Sequence, residues 1–265
     1  MSIVQQLRTI PLYIQYFLNV TDQHSLQAPF IFEFYSRLLR GIKNSDGIEE
    51  IEEIRKLYLK DKSKVFGSDL GAGSRVVKVE YGKSVASIAR YGISSVKDCI
   101  FLSELVKIIQ PETCIELGTS LGIATSYLAQ SNEHSFVYTF EGNNSLVQKA
   151  KELFAQLNCE NVQIIHGDID KMLPEKLEQL EKVDFAVIDA NHTYEALQYY
   201  FNMLRKKMSP AGVIVIDDIR WSVEMYRAWK KLILNESVSI SIEFLNRGVL
   251  LFEKHLQKQH YILAY

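Results

Sequence analysis

A chain of 265 residues, 47% of them hydrophobic, can bury one substantial core and suits one domain with an appendage better than two full domains. Its formal net charge of −2 argues against broad affinity for nucleic acid. Three irregularly spaced cysteines, Cys99, Cys114 and Cys159, make neither a disulfide framework nor a zinc motif, and fit a reducing, cytoplasmic setting.

The first 96 residues are predicted to be a mostly helical N-terminal extension, and residues 97–265 the main domain. Ile10 to Leu18 is an apolar patch broken by Gln15, with no basic leader or small-residue cleavage site, and too short to span a bilayer. It is expected to be an amphipathic helix packed on the main domain or on a second subunit, so a homo-oligomer through the N-terminal helices is a candidate assembly. Its polar face is poor in Lys and Arg, which disfavours a membrane surface. Thr21 to Phe30 is either part of a substrate site or a connection between helices. Asp46 to Lys60 is charged and helix-prone, whereas Asp61 to Lys83 mixes Lys, Gly and Ser and is predicted to be a loop. Inside it, Asp69-Leu-Gly-Ala-Gly-Ser74 has the glycines of a cofactor loop. No apolar strand precedes it and Arg75 to Glu80 after it looks extended, so a flexible loop or a lid over the substrate is preferred.

From Cys114 onward the pattern changes to apolar runs alternating with helical periodicity. Cys114-Ile-Glu-Leu-Gly-Thr-Ser-Leu-Gly122 is a strand and a glycine turn, followed by a helix over 123–130. Gly118 and Gly122 let the backbone bend and approach a ligand, and the helix N-terminus offers free N–H groups. The middle glycine of the dinucleotide fingerprint is missing, so a cofactor without a pyrophosphate fits better. A second strand, Ser135 to Phe140, ends at Glu141, where an acid can bind ribose hydroxyls or cap the next helix. Gly142-Asn143-Asn144 breaks the chain before a helix with Val147, Ala150, Leu153, Phe154 and Leu157 on one face. Val162 to His166 is a third strand, followed by Gly167-Asp168. The fourth, Val183 to Ile188, is apolar enough to be covered on both faces and ends in Asp189. Asp189-Ala-Asn-His192 is expected to open a helix with Leu197, Tyr200, Phe201 and Leu204 on one face. Ser209 to Gly212 breaks the chain, and Val213 to Ile216 forms a fifth strand ending in Asp217-Asp218. Val238 to Ile242 and Gly248 to Phe252 lie close enough to pair as an antiparallel hairpin. This rhythm predicts an α/β fold: a doubly wound, Rossmann-like sheet of five parallel strands plus the hairpin, with its ligand crevice at the carboxyl ends.

Asp189, Asp217 and Asp218 come from adjacent strand ends and could converge on one hard divalent cation, Mg²⁺ or Mn²⁺. Adjacent acids at a strand end are also common as helix caps. His192 is either a general base or a cap of the following helix.

Glu116-Leu-Gly-Thr-Ser-Leu-Gly122 resembles motif I of the class I S-adenosylmethionine-dependent methyltransferases, particularly the catechol O-methyltransferase-like branch. The resemblance runs over about residues 97 to 254 and rests on the ordered set Glu116, Gly118, Gly122, Glu141, Asp168, Asp189, His192, Asp217 and Asp218. It implies S-adenosylmethionine as cofactor, held by Glu116, Gly118, Thr119, Ser120, Gly122, Glu141, Gly142, Asp168 and Asp189. Within that set the resemblance gives Asp168 the adenine amino group, a turn aspartate being the alternative. Glu116 would meet the methionine amino group or order the glycine loop. It further implies metal-assisted O-methylation of a small hydroxylated acceptor, with Asp189, Asp217 and Asp218 as ligands and His192 and Asp189 catalytic. The branch usually has asparagine where Asp218 stands and a lysine base where His192 stands. Two other functions are compatible: an RNA-modifying enzyme of the same fold, with Lys206, Lys207, Arg220 and Lys230 as a basic surface, or a non-catalytic cofactor-binding interaction protein.

Overall fold

The computed structural model describes residues 3–66 and 82–265. The glycine-rich segment Asp69 to Ser74 and the extended stretch Arg75 to Glu80 lie outside the described residues. In chain order come helices α1 (Ile3–Asn19), α2 (Pro29–Lys43) and α3 (Glu49–Tyr58), the short ladder β1 (Lys64–Val65) with β2 (Lys83–Ser84), and α4 (Val85–Tyr91). Then follow α5 (Val96–Ile109), β3 (Thr113–Leu117), α6 (Ile123–Ser131), β4 (Phe136–Glu141), α7 (Asn144–Gln156), β5 (Val162–His166) and α8 (Ile169–Gln179). The chain continues through β6 (Val183–Ile188), α9 (Tyr194–Leu204), β7 (Met208–Ile216), α10 (Val223–Leu232), β8 (Ile240–Glu243), β9 (Gly248–Leu251) and β10 (Gln259–Ile262).

The main sheet has the order β10-β8-β9-β7-β6-β3-β4-β5. Strands β3 to β7 run parallel, β9 is antiparallel to both β7 and β8, and β10 is parallel to β8. Alternate residues along the strands feed two cores, as a strand period of two requires. Cys114, Phe185, Val187, Val213 and Val215 join α2, α3, α5, α6 and α7 on one face. Ile115, Leu117, Ala186, Ile188, Ile214 and Ile216 join α8, α9 and α10 on the other. A sheet covered on both sides needs strands apolar in both registers, and Val183 to Ile188 is buried throughout.

Side chains set the helix starts. Ser95 and Asp98 form a capping box on α5, and Asn143, Thr193 and Ser222 cap α7, α9 and α10. Thr193, not His192, caps α9, so the helix predicted from Asp189 begins five residues later and leaves His192 in the loop. The segment Ser209 to Gly212, expected as a break, belongs to β7, where an irregularity in the ladder between Val183 and Phe185 accommodates it. Edge strand β10 was not predicted.

Helix α1 packs inward through buried Tyr16, whose hydroxyl donates to Leu263 O at 2.8 Å, while Leu7, Ile10, Ile14 and Phe17 are exposed. No helix of the described residues is long and apolar enough to cross a membrane.

Candidate active site

The strand order reverses between β3 and β6, which places a crevice at their carboxyl ends. The loops there are laced together through the backbone. Gly118 and Thr119 N–H groups both donate to Phe140 O at 3.1 Å, Asp189 N–H donates to Leu117 O at 2.9 Å, and Asp217 N–H donates to Ile188 O at 3.0 Å. Gly118 has φ +106°, and a Cβ on it would stand 2.2 Å from the carbonyl oxygen of Asp189. The glycine is thus needed first for the contact between two loops of the protein. Gly122, at φ +83°, is the N-cap of α6 with no side-chain capping bond, which leaves that helix's first turn available to a ligand. Ser120, Asn191 and Asp218 also have positive φ, at 50°, 50° and 53°. Strained backbone thus gathers at these loops, as it does at functional sites.

Glu141 ends β4 beside the glycine turn. Its Oε2 accepts from Ser120 N–H and its Oε1 from Asn143 N–H, both at 2.9 Å, so the carboxylate braces the turn from the neighbouring strand. Glu116 points into the core with 1% exposure, where its Oε2 accepts from Thr125 and Thr139 hydroxyls at 2.5 and 2.6 Å. Thr119, also buried, shares a hydrogen bond with Thr139. Burial pushes the Glu116 carboxyl up to about 7. It joins the glycine turn, α6 and β4 from beneath. Asp168 is exposed beyond β5 and caps α8 by accepting from Asp170 N–H at 3.1 Å.

Across the crevice, Asp189, Asp217 and Asp218 stand near enough to affect one another's ionisation. Burial and the charges of Asp217 and Asp218 raise Asp189 well above the usual carboxylate range, and burial with the Asp217 charge brings Asp218 to about 7. His192 Nε2 lies 3.6 Å from Asp189 Oδ1, and its ring stands 5.8 Å from that of Trp221. Burial lowers the His192 pKa against the opposing pull of Asp217, so the ring is neutral at neutral pH. Tyr13 of α1 reaches the same end of the sheet: its hydroxyl donates to Asn246 Oδ1 at 3.2 Å and its pKa is raised by burial and by Asp218.

Two residues absent from the sequence-level site complete it. Arg247 is 4% exposed and bridges Asp217 and Asp98. Burial works against its charge, but Asp217, Tyr265 and Asp98 outweigh that and hold it ionised. The expected convergence of three aspartates on a metal ion is not found. Among the described residues no group of three His, Cys, Asp or Glu side chains is placed to hold one, and the Asp217 oxygens accept from Arg247 Nη2 at 2.9 Å and from Asp218 N–H at 2.8 Å. Of the basic candidates, Arg220 is buried and paired with Glu243, and Lys207 donates to Leu180 O at the opposite end of the sheet.

Residues 115–219 match the model of a family described as a methyltransferase domain. A tRNA (guanine-N(7)-)-methyltransferase of Mycoplasma mobile is 27% identical over 123 residues, 44% of this chain. The match spans only 61% of that relative's length. Among solved structures, the SAH-bound methyltransferase PaMTH1 of Podospora anserina aligns with a TM-score of 0.61 at 15% identity, over 86% of this chain and 99% of that one. An O-methyltransferase from Bacillus cereus in complex with SAH aligns with a TM-score of 0.53 at 20% identity, over 61% of this chain and 82% of that one. Likeness at these identities is likeness of fold. Residues 115–219 are thus similar to a methyltransferase domain, and the chain carries the fold of these SAH-bound methyltransferase structures.

Proposed function

We propose that this chain is an S-adenosylmethionine-dependent O-methyltransferase for a small hydroxylated acceptor, with residues 97–265 holding the cofactor and helix α1 bordering the acceptor side. The observation that carries this reading is the meeting, at the point where the strand order reverses, of a glycine turn braced by Glu141 with the His192 and Asp189 pair. The residues fit the cofactor: an α6 N-terminus without a side-chain cap, glycine backbone at Gly118 and Gly122, and an acid at each of the next two strand ends. When bound, the cofactor supplies an electrophilic methyl group on a sulfonium centre.

The protein's part is alignment and proton removal. Backbone from Gly118 to Gly122 receives the methionine end, with Thr119 and Ser120 in the turn. Glu141 and neighbouring Gly142 take the ribose hydroxyls, and Asp168 the adenine amino group. Glu116 keeps the turn in place from below. The neutral His192 ring would accept the acceptor hydroxyl's proton as the methyl carbon leaves the sulfonium sulfur for the acceptor oxygen, and Asp189, 3.6 Å from Nε2, orients the ring. Trp221 beside His192, and Tyr13 from α1, bound the acceptor. No step is assigned to a divalent cation, because Arg247 already engages Asp217.

The tRNA-modifying relative supports a second reading, an RNA acceptor, but the burial of Arg220 and the remote position of Lys207 take two of its four candidate basic residues away from the crevice. Calorimetric titration of the purified chain with S-adenosylmethionine and S-adenosylhomocysteine tests the proposal. Binding of both, followed by turnover on a panel of phenolic and other hydroxylated compounds, is the expected result. Binding without turnover on hydroxylated compounds or RNA would favour a cofactor-binding interaction protein, and absence of binding would overturn the proposal.

A further inference from the structure

Ile216 pairs with Gly248 across the antiparallel β7–β9 ladder, so the next residues outward, Asp217 and Arg247, are set opposite one another by the register. Arg247 Nη2 donates to Asp217 Oδ2 at 2.9 Å, while Nη1 donates to Asp98 and, at 2.9 Å, to the Tyr265 hydroxyl. The Phe101 ring lies 5.9 Å from the guanidinium carbon. Asp98 is itself held in the capping box of α5, so the guanidinium is fixed between two anchored carboxylates. A planar, delocalised cation with forked donors suits such a buried position better than a compact ion does. The other Asp217 oxygen accepts from the Asp218 N–H. A hard dication needs several anionic oxygens to itself. Here it would share its central ligand with a permanent positive charge that cannot move away, and like charges at such range repel strongly in a site shielded from water.

We propose that Arg247 supplies, at these strand ends, the positive charge that the resemblance to catechol-type enzymes assigns to a divalent cation, and that the site consequently binds no such cation. The inference rests on the methyltransferase reading above. Arg247 is a positioning residue: it neutralises Asp217 and ties the β7 end to α5. Removal of the acceptor proton is then left to His192 without help from a metal.

The test is a titration of the full chain with Mn²⁺ in the presence of S-adenosylhomocysteine, following free Mn²⁺ by electron paramagnetic resonance. Wild-type protein is expected to leave the free-ion signal undiminished up to about 1 mM, the weak end of functional divalent-cation sites. Arg247→Met, which removes the charge and keeps an unbranched apolar side chain, is expected to gain one Mn²⁺ per chain, and further substitution of Asp189→Asn to lose it again. Uptake of one Mn²⁺ by the wild type, abolished by Asp189→Asn, would overturn the proposal, and so would a folded Arg247→Met protein that takes up none. The wild-type titration decides even where the Met variant does not fold, as judged by circular dichroism. Heats of S-adenosylhomocysteine binding on the same samples separate the two readings: their absence defeats the methyltransferase assignment, whereas Mn²⁺ uptake beside normal cofactor binding defeats only the role of Arg247.

Discussion

Glu116 shows how a polar residue in a buried strand can serve a site it does not touch. Its carboxyl is pushed up to about 7 by burial and bonds only hydroxyl donors, Thr125 and Thr139. In the unfolded chain it titrates near 4.5, so between roughly pH 4.5 and 7 the folded state holds a proton that the unfolded state has released. Stability from this group is full below that window and falls as pH rises through it, by at most about 3 kcal/mol. Glu116→Gln should therefore gain stability relative to wild type at pH 8 and show little difference at pH 4.5, read as urea midpoints at the two pH values. An equal difference at both would mean that the carboxyl is ionised throughout. His192 makes the opposite case, a group whose burial favours the neutral, proton-accepting form. Loss of a general base costs about 10²-fold or more in turnover. For His192→Gln the deficit should be largest near neutral pH and shrink as pH rises toward the acceptor hydroxyl's own pKa. A pH-independent deficit would assign His192 a packing role beside Trp221.

At the scale of elements, the glycine turn and the loop after β6 form one unit, because Gly118 has room only for hydrogen against the Asp189 carbonyl. Gly118→Ala should destabilise the chain by roughly 1–3 kcal/mol, combining positive-φ strain with displacement of the β6 loop. It should also weaken S-adenosylmethionine binding by more than tenfold. Thermal melts and calorimetry on the same protein check both, and intact affinity would remove the turn from the cofactor site. The elements legible in the sequence were those whose surroundings are uniform. Strands covered on both faces appear as apolar runs, as at Val183 to Ile188, and helices covered on one face appear as periodic stripes. The order of glycines and acids along the chain placed Gly118, Glu141 and Asp189 at the ends of β3, β4 and β6. Edge strand β10 was illegible because Gln259-His-Tyr-Ile262 is half polar and becomes a strand only by pairing with β8. The same limit applied at the site. Asp98 and Arg247 are 149 residues apart, and nothing local marks either as part of a crevice. It is the β7–β9 register, fixed only in the folded sheet, that puts the residue before Gly248 opposite Asp217.

For the whole molecule, the N-terminal helices and the sheet share one interior. Ile31, Phe34 and Leu38 of α2 and Ile51 and Ile54 of α3 are buried in the same cluster as Cys114 of β3 and Val215 of β7. The N-terminal segment is also tied to the last strand: Thr21 bridges Leu263, and Tyr35 donates to Ala264 O. Arg220 extends the tie, since its side chain bonds Glu243 of β8, lies 4.9 Å from the Tyr16 ring and donates to Leu12 O at 3.3 Å. An extension bound this way loses much of its apolar contact if the sheet unfolds, and the sheet loses a face if the extension leaves. Calorimetric melting should accordingly show one cooperative transition, with equal calorimetric and van't Hoff enthalpies. Saturation with S-adenosylhomocysteine at about 100 times its dissociation constant should shift that transition as a whole, by roughly 2.7 kcal/mol of stability. Two transitions, of which only the second responds to the ligand, would instead divide residues 1–96 from 97–265 as separately folding units.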